Sequence, residues 1–380
     1  MKTNSLAQSL AIDSQLCMPG SAGRLLKQIR DIEQIAPAFR DAGLVKAVRK
    51  QTSVNLTVSG IASRSCIKKA LGGFLFASAA VRTDLLIQNN KISTVGTDSV
   101  SELDDIDFEA QRKRLDLVEM RHCYALVERT LNQETQSHLI LIDTPLFIDR
   151  DMVPLKRNIR HWNEYRKTTE AIALFWTRHR QKLFPWNPNG PILISILAER
   201  FSAVVSIARQ DLRTAEGRKY LLISDGFSAD SAERLDHLDD RLTGIGDTRF
   251  ISGILGGFSR TIAFRMVEHI SRMEPAKEVS YGMIGFHFRS SPGGQIQMAQ
   301  LAGEESDWNT ELLDTVAWYL MILDLQSHRK AMPLPQLLSR QQLAILEKFT
   351  EYYRQGLNDT LRKNEIESTW LFGLDEDFDS

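Results

Sequence analysis

Hydrophobic and polar positions change period several times along the chain, and each change marks an element. Residues 25–50, LLKQIRDIEQIAPAFRDAGLVKAVRK, place Leu25, Ile29, Ile32 and Ile35 at helical spacing, with Pro37 expected to interrupt or restart the run. This segment reads as an arm or a dimer element. From Val54 the pattern shortens to β-prone runs punctuated by glycine, SVNLTVSGIAS and ALGGFLFASAAVRTDLLIQ, which predict paired strands. The acidic stretch DSVSELDDIDFEA reads as a loop feeding a long helix, EAQRKRLDLVEMRHCYALVERTL, with Leu115, Val118, Cys123, Leu126 and Val127 near one face. HLILIDTPLFI then gives a continuous apolar run, the pattern of a central strand covered on both faces.

Residues 149–190 form a basic and aromatic helical insertion closed by the turn PWNPNGP. ERFSAVVSIARQ and KYLLISDG are two further strand candidates, followed by a polar helix, SADSAERLDHLDDRL, and an apolar one beginning at DTRFISGILGG. SYGMIGFHFRS and GQIQMAQLAG, joined by SPGG, predict a hairpin. TELLDTVAWYLMILDLQ and QQLAILEKFTEYYRQGL predict C-terminal helices ahead of an acidic tail. The organisation expected is a helical arm over 1–50, an α/β domain over 51–356 carrying the 149–190 insertion, and a tail over 357–380.

Composition narrows the possibilities. With 380 residues and 43% hydrophobic content the chain can bury one large core or two modest ones. No run of eighteen apolar residues and no signal-like N-terminus occurs, so no membrane association is expected and the cytoplasm is the default location. Cys17, Cys66 and Cys123 are too few and too widely spaced for a disulfide framework or a zinc site, and read as reduced packing residues. A formal charge of −1 means that any contact with nucleic acid must come from a local patch. Walker, nucleophile-elbow and HExxH motifs are missing, which argues against an ATPase, a serine hydrolase and a zinc protease.

The candidate chemistry is carboxylate chemistry. Asp143 follows a buried strand and Glu119 stands on the preceding helix, so the two could share a divalent metal that activates water. Glu128 competes for the helical role, while Asp225, at the end of KYLLISDG, and Asp84 are further carboxylates. An Asp after a strand also serves as a cap or turn residue, and Asp225-Gly226 is a plain turn signal. The insertion offers Arg157, Arg160, Arg166 and Lys167 for phosphates and Trp162, with other aromatics, for base stacking. The same pattern also describes an amphipathic helix whose aromatics are core and whose basic face is solvated.

Taken in order, VSGIAS with GGFLFASAAV, RLDLVEMRHCYAL, HLILIDTPLF, GDTRFISGILGG, FHFRSSPGGQIQMAQLAG and MPLPQLLSRQQLAIL resemble the motifs of the NurA nuclease family over residues 50 to 350. The resemblance implies an RNase H-like mixed sheet flanked by helices, a homodimer with a central DNA channel, cleavage dependent on manganese or magnesium, and a hexameric HerA-type ATPase partner. It matches Glu119 and Asp143 to two family carboxylates. The chain departs from the family twice: Ser59 is expected where the first strand carries Asp, and Arg340 or Gln341 where the closing segment carries His. Serine brings no charge to a hard cation, and neither arginine nor glutamine exchanges protons near neutral pH.

Overall fold

The computed structural model describes residues 6–49, 55–70, 72–88, 91–133, 137–148, 152–197, 215–238, 245, 247–266, 282–327 and 332–367. A ten-stranded mixed sheet organises the chain. Its strands are β1 (Val45–Ala47), β2 (Leu56–Ala70), β3 (Gly73–Gln88), β4 (Lys91–Asp107), β5 (Leu139–Ile142), β6 (Ile192–Ile196), β7 (Ser259–Thr261), β8 (Phe264–Arg265), β9 (Met283–Arg289) and β10 (Ile296–Ala302). They run in the order β1-β7-β9-β10-β6-β5-β2-β3-β4, with β8 on β9.

The first three long strands form an antiparallel meander, and β5 and β6 add in parallel beside β2. This is the RNase H-like arrangement expected from the sequence. Helix α2 (Gln111–Leu131) links β4 to β5, and α3 (Ile159–His179) lies between β5 and β6, the crossovers that parallel strands require. The predicted hairpin is β9–β10, in register from Met283–Ala302 to Arg289–Ile296.

β5 is uniformly apolar because both its faces are covered. Ile140 and Ile142 pack with Leu117, Met120 and Cys123 of α2. Leu139 and Leu141 pack on the other face with Leu313, Val316 and Leu320 of α6 (Thr310–Gln326). Two short helices, α4 (Ala229–Asp236) and α5 (Asp247–Ile254), precede β7. The chain closes with α7 (Leu334–Gln342) and α8 (Leu346–Lys363).

Four readings of the sequence change. Helix α1 runs unbroken over Leu6–Asp41, through Pro19 and Pro37. Both prolines are on exposed positions, where water can take the carbonyls they leave unpaired. The acidic stretch read as a loop is mostly β4, which alternates along an exposed edge and pairs with β3 over nearly its whole length. Pairing overrides the low strand propensity of Asp and Glu there. KYLLISDG contributes one bridge, Leu221 to Phe264, and then turns at Gly226, whose φ is +84°. Helix α8 continues to Lys363, past the expected start of the tail. The strand candidate at 199–210 and the acidic end at 375–380 lie outside the described residues.

Candidate active-site cleft

β5 ends at Ile142, paired with Ile61, whereas β2 continues to Ala70 with only β3 beside it. The step leaves a notch at the carboxyl ends of the parallel strands, the usual ligand position in such sheets. Asp143 emerges at the lip of the notch, and Ser63 stands beside it on β2. Glu119, only 4% exposed, reaches the same place from α2. Its helix presents Leu117, Met120 and Cys123 to the sheet, so the glutamate is carried inward by the packing face instead of being solvated.

Ser63 ties the carboxylates together. Its backbone N–H donates to Asp143 Oδ2 at 2.9 Å, and its hydroxyl lies 2.9 Å from Asp143 Oδ1 and 3.5 Å from Glu119 Oε2. A hydroxyl has one proton, so the shorter contact to Asp143 takes it. The Cys123 thiol, 3.7 Å from Asp143 Oδ1, completes the surroundings. Burial, reinforced by the negative charge of Asp143, pushes that thiol well above its ordinary pKa, so it stays protonated and donates.

The cleft also carries cations. The cleft, about 320 Å³, is lined by Ser63, Arg64, Ser65, Arg112, Glu119, Asp143, Ile196, Leu197, Met332 and Arg340. Arg64 comes from β2 and pairs with Glu347 of α8 at 2.8 Å; Arg112, in the first turn of α2, lies 3.4 Å from Asp116. Arg340 is delivered by α7, which crosses β2 at Gly60. A Cβ at Gly60 would lie 2.5 Å from the Gln336 nitrogen and the Pro335 carbonyl carbon, so only glycine permits the approach. Ser339 locks the crossing by donating to the Gly60 carbonyl at 2.8 Å, with Thr83 Oγ1 at the same distance.

Of the residues singled out from sequence, Glu119, Asp143 and Arg340 therefore share one cleft. Asp225 does not. It is fully buried and receives Arg260 through two contacts, at 2.6 and 2.9 Å, together with the Ala263 N–H, Thr310 and Lys46. Burial alone would raise its pKa, but Arg260 and these other donors bring it below the ordinary carboxylate value. With its oxygens committed to β7 and its neighbours, Asp225 is a structural ion-pair residue and not a cleft ligand. Asp84 is likewise engaged elsewhere, with Ser59 at 2.6 Å and Arg82 at 3.2 Å. Ser59, expected to replace the first-strand acid, thus lies four residues short of the notch, and Ser63 stands next to Asp143 instead. Glu128 pairs with His179 at 2.9 Å, away from the cleft lining.

The basic insertion resolves into core and surface. Tyr165, Phe175 and Trp176 are buried beneath α3, with Phe147 stacked on Trp176 at 5.4 Å, so these rings hold α3 to the domain and cannot stack on bases. Trp162 is half-buried and edge-on to Tyr165. Arg157, Arg160, Arg166 and Lys167 are exposed, with Arg160 paired to Asp107, Arg166 to Asn163 and Lys167 near Glu164. Sequence reading missed Ser63, Arg64 and Arg112. Their only signal was position: Ser63 is on the same strand face as Ser59, two pleat repeats further towards the notch.

No protein-family profile matches the chain, and no curated protein matches it significantly. Solved structures do match. The crystal structure of the NurA nuclease from Sulfolobus solfataricus superposes with a TM-score of 0.55 and 11% identity, covering 95% of this chain and 98% of that one. The chain has the NurA fold. A crystal structure of NurA with manganese matches at 12% identity over 91% of this chain and 98% of that one, with a TM-score of 0.43. An endonuclease V from Bacillus subtilis matches at 8% identity, over 83% and 91% of the two chains, with a TM-score of 0.34.

On this NurA-like fold, the donor set at the notch fits one hard cation and not two. Two carboxylates resemble the sparse protein ligation of magnesium, whose remaining positions go to water and phosphate. A second cation needs more negative charge than Glu119 and Asp143 provide against three arginines. Among the described residues no group of three or more His, Cys, Asp or Glu side chains is arranged for a metal.

Proposed function

We propose that this protein is a NurA-like nuclease of reduced catalytic power that engages the DNA phosphate backbone in the arginine-lined cleft. The observation that carries the reading is the convergence of Glu119 and Asp143 with Arg64, Arg112 and Arg340 on one cleft. Guanidinium groups suit phosphate oxygens because their planar donor forks match them in pairs. Manganese or magnesium, held by Glu119 and Asp143, would polarise the phosphoryl group and lower the pKa of a bound water. The chain's own contribution is positioning: the arginines hold the backbone, and Ser63 and Cys123 orient Asp143.

In this reading the exposed residues Arg157, Arg160, Arg166 and Lys167 extend the phosphate-binding surface, with Trp162 at its border. A homodimer is part of the proposal, supported by the uncovered apolar side chains Leu6, Leu10 and Leu16 of α1. So is a HerA-type hexameric ATPase that feeds DNA to the cleft in end processing, repair or phage defence. Among the described residues no helix is long and apolar enough to cross a membrane.

The contact of Ser63 with Asp143 favours a second reading, in which the chain is a non-catalytic subunit that clamps DNA or docks the motor. One experiment separates the two. Purified protein is incubated with labelled single- and double-stranded DNA in manganese, with and without a HerA-type partner. Weak cleavage that disappears in Asp143→Ala is expected; binding without cleavage, even with the partner, assigns the chain to the second reading.

A further inference from the structure

Ser63 makes two contacts to one carboxylate of the pair read as the cation site. Its N–H takes Asp143 Oδ2 and its O–H takes Oδ1, both at 2.9 Å, while the same oxygen lies 3.5 Å from Glu119. A hydroxyl proton placed there does part of what a cation does, giving Asp143 a positive neighbour. The three arginines that line the cleft add to that screening.

We propose that Ser63 is a latch, a positioning residue that holds Asp143 in a closed arrangement without metal and thereby keeps the divalent-cation affinity of the Glu119–Asp143 pair low. This inference rests on the reading of the pair as the cation site. A cation that takes the Asp143 Oδ1 lone pair facing Ser63 displaces the Ser63 proton, so part of the coordination energy is spent replacing an existing hydrogen bond. The backbone N–H on Oδ2 remains, which keeps Asp143 oriented towards the notch in either state.

A carboxylate at this position reverses the balance. Ser63→Asp puts a third anion beside two others, which destabilises the cation-free protein and is relieved when a cation enters. Manganese binding is measured on the full-length protein without DNA, by electron paramagnetic resonance of the free ion, alongside thermal unfolding in chelator and in manganese. Ser63→Asp is expected to bind manganese roughly tenfold tighter or more, in line with the dependence of affinity on ligand charge. Its Tm is expected to lie below wild type in chelator and to rise further than wild type on adding the ion.

Ser63→Asn, similar in size but neutral, is expected to show neither effect. Ser63→Ala, which removes the latch proton, is expected to bind manganese more tightly than wild type. Folded Ser63→Asp with unimproved affinity overturns the proposal, and so does a Ser63→Ala affinity equal to wild type, which would leave the hydroxyl no latching role, or below it, which would make the hydroxyl a ligand. If Ser63→Asp folds in neither condition, Ser63→Ala decides by the same criterion. Because no step uses DNA, failure of nuclease activity leaves these outcomes readable.

Discussion

Asp143 receives the Ser63 N–H and hydroxyl at 2.9 Å each, so the carboxylate that follows β5 is oriented by the neighbouring strand instead of by solvent. Its role in turnover is tested directly. Asp143→Ala is expected to abolish manganese-dependent cleavage while leaving DNA affinity in chelator equal or slightly higher, since an anion has been removed from a phosphate-binding cleft. Cleavage that survives the substitution would place the catalytic centre elsewhere.

Arg340 reaches the cleft because α7 crosses β2 at Gly60. Replacing Arg64, Arg112 or Arg340 with alanine is expected to weaken DNA binding and to lower the slope of log K against log salt, by about 0.9 per lost phosphate contact on duplex DNA. The same titration on a variant neutralised at Arg157, Arg160, Arg166 and Lys167 tests the surface of α3. An unchanged slope there would confine the DNA path to the cleft.

Gly60→Ala probes the crossing itself. The new methyl meets the backbone of Pro335 and Gln336, which is not a flexible side-chain end and must shift as a unit. A destabilisation of about 1–3 kcal/mol in urea unfolding is expected, the usual range for overpacking, accompanied by weaker DNA binding as Arg340 is displaced. Normal binding at reduced stability would show that α7 does not position Arg340.

Asp225 and Arg260 form a fully buried pair. Asp225→Ala leaves the Arg260 charge, among the described residues, with only the carboxylate of Asp314, which is partly exposed, and is expected to cost about 3–5 kcal/mol. Manganese binding should be unchanged in that variant. Because the folded Asp225 pKa is depressed, its stabilisation is present above the ordinary carboxylate pKa and is lost as pH falls through the folded value.

His287 is buried in β9, and burial pushes its pKa down to about 4. Among the described residues neither ring nitrogen meets a hydrogen-bond partner. The unfolded chain therefore binds a proton between about pH 6.5 and 4 that the folded chain refuses. Stability should fall across that window as pH is lowered, by up to roughly 3 kcal/mol. His287→Phe is expected to flatten the decline; an unaltered pH profile in the variant would assign it to other groups.

The sequence by itself determined the elements whose neighbours are local or whose burial is two-sided. The apolar run of β5, the SPGG hairpin and helix α2 each carry their own signal, because period and turn chemistry act over a few residues. Glu119 and Asp143 were legible for the same reason: each sits at a fixed place on such an element. Long-range pairing decided the rest. β4 became a strand through β3, Ser63 and not Ser59 came to stand beside Asp143 through the register of β2 on β5, and Asp225 was claimed by Arg260 from another strand. Arg64, Arg112 and Arg340 are separated by tens to hundreds of residues, and nothing local distinguishes them from solvated cations. Only the notch left where β5 ends, and the close passage that Gly60 allows to α7, bring them to one cleft, since contacts between distant segments are fixed by packing and have no period to read.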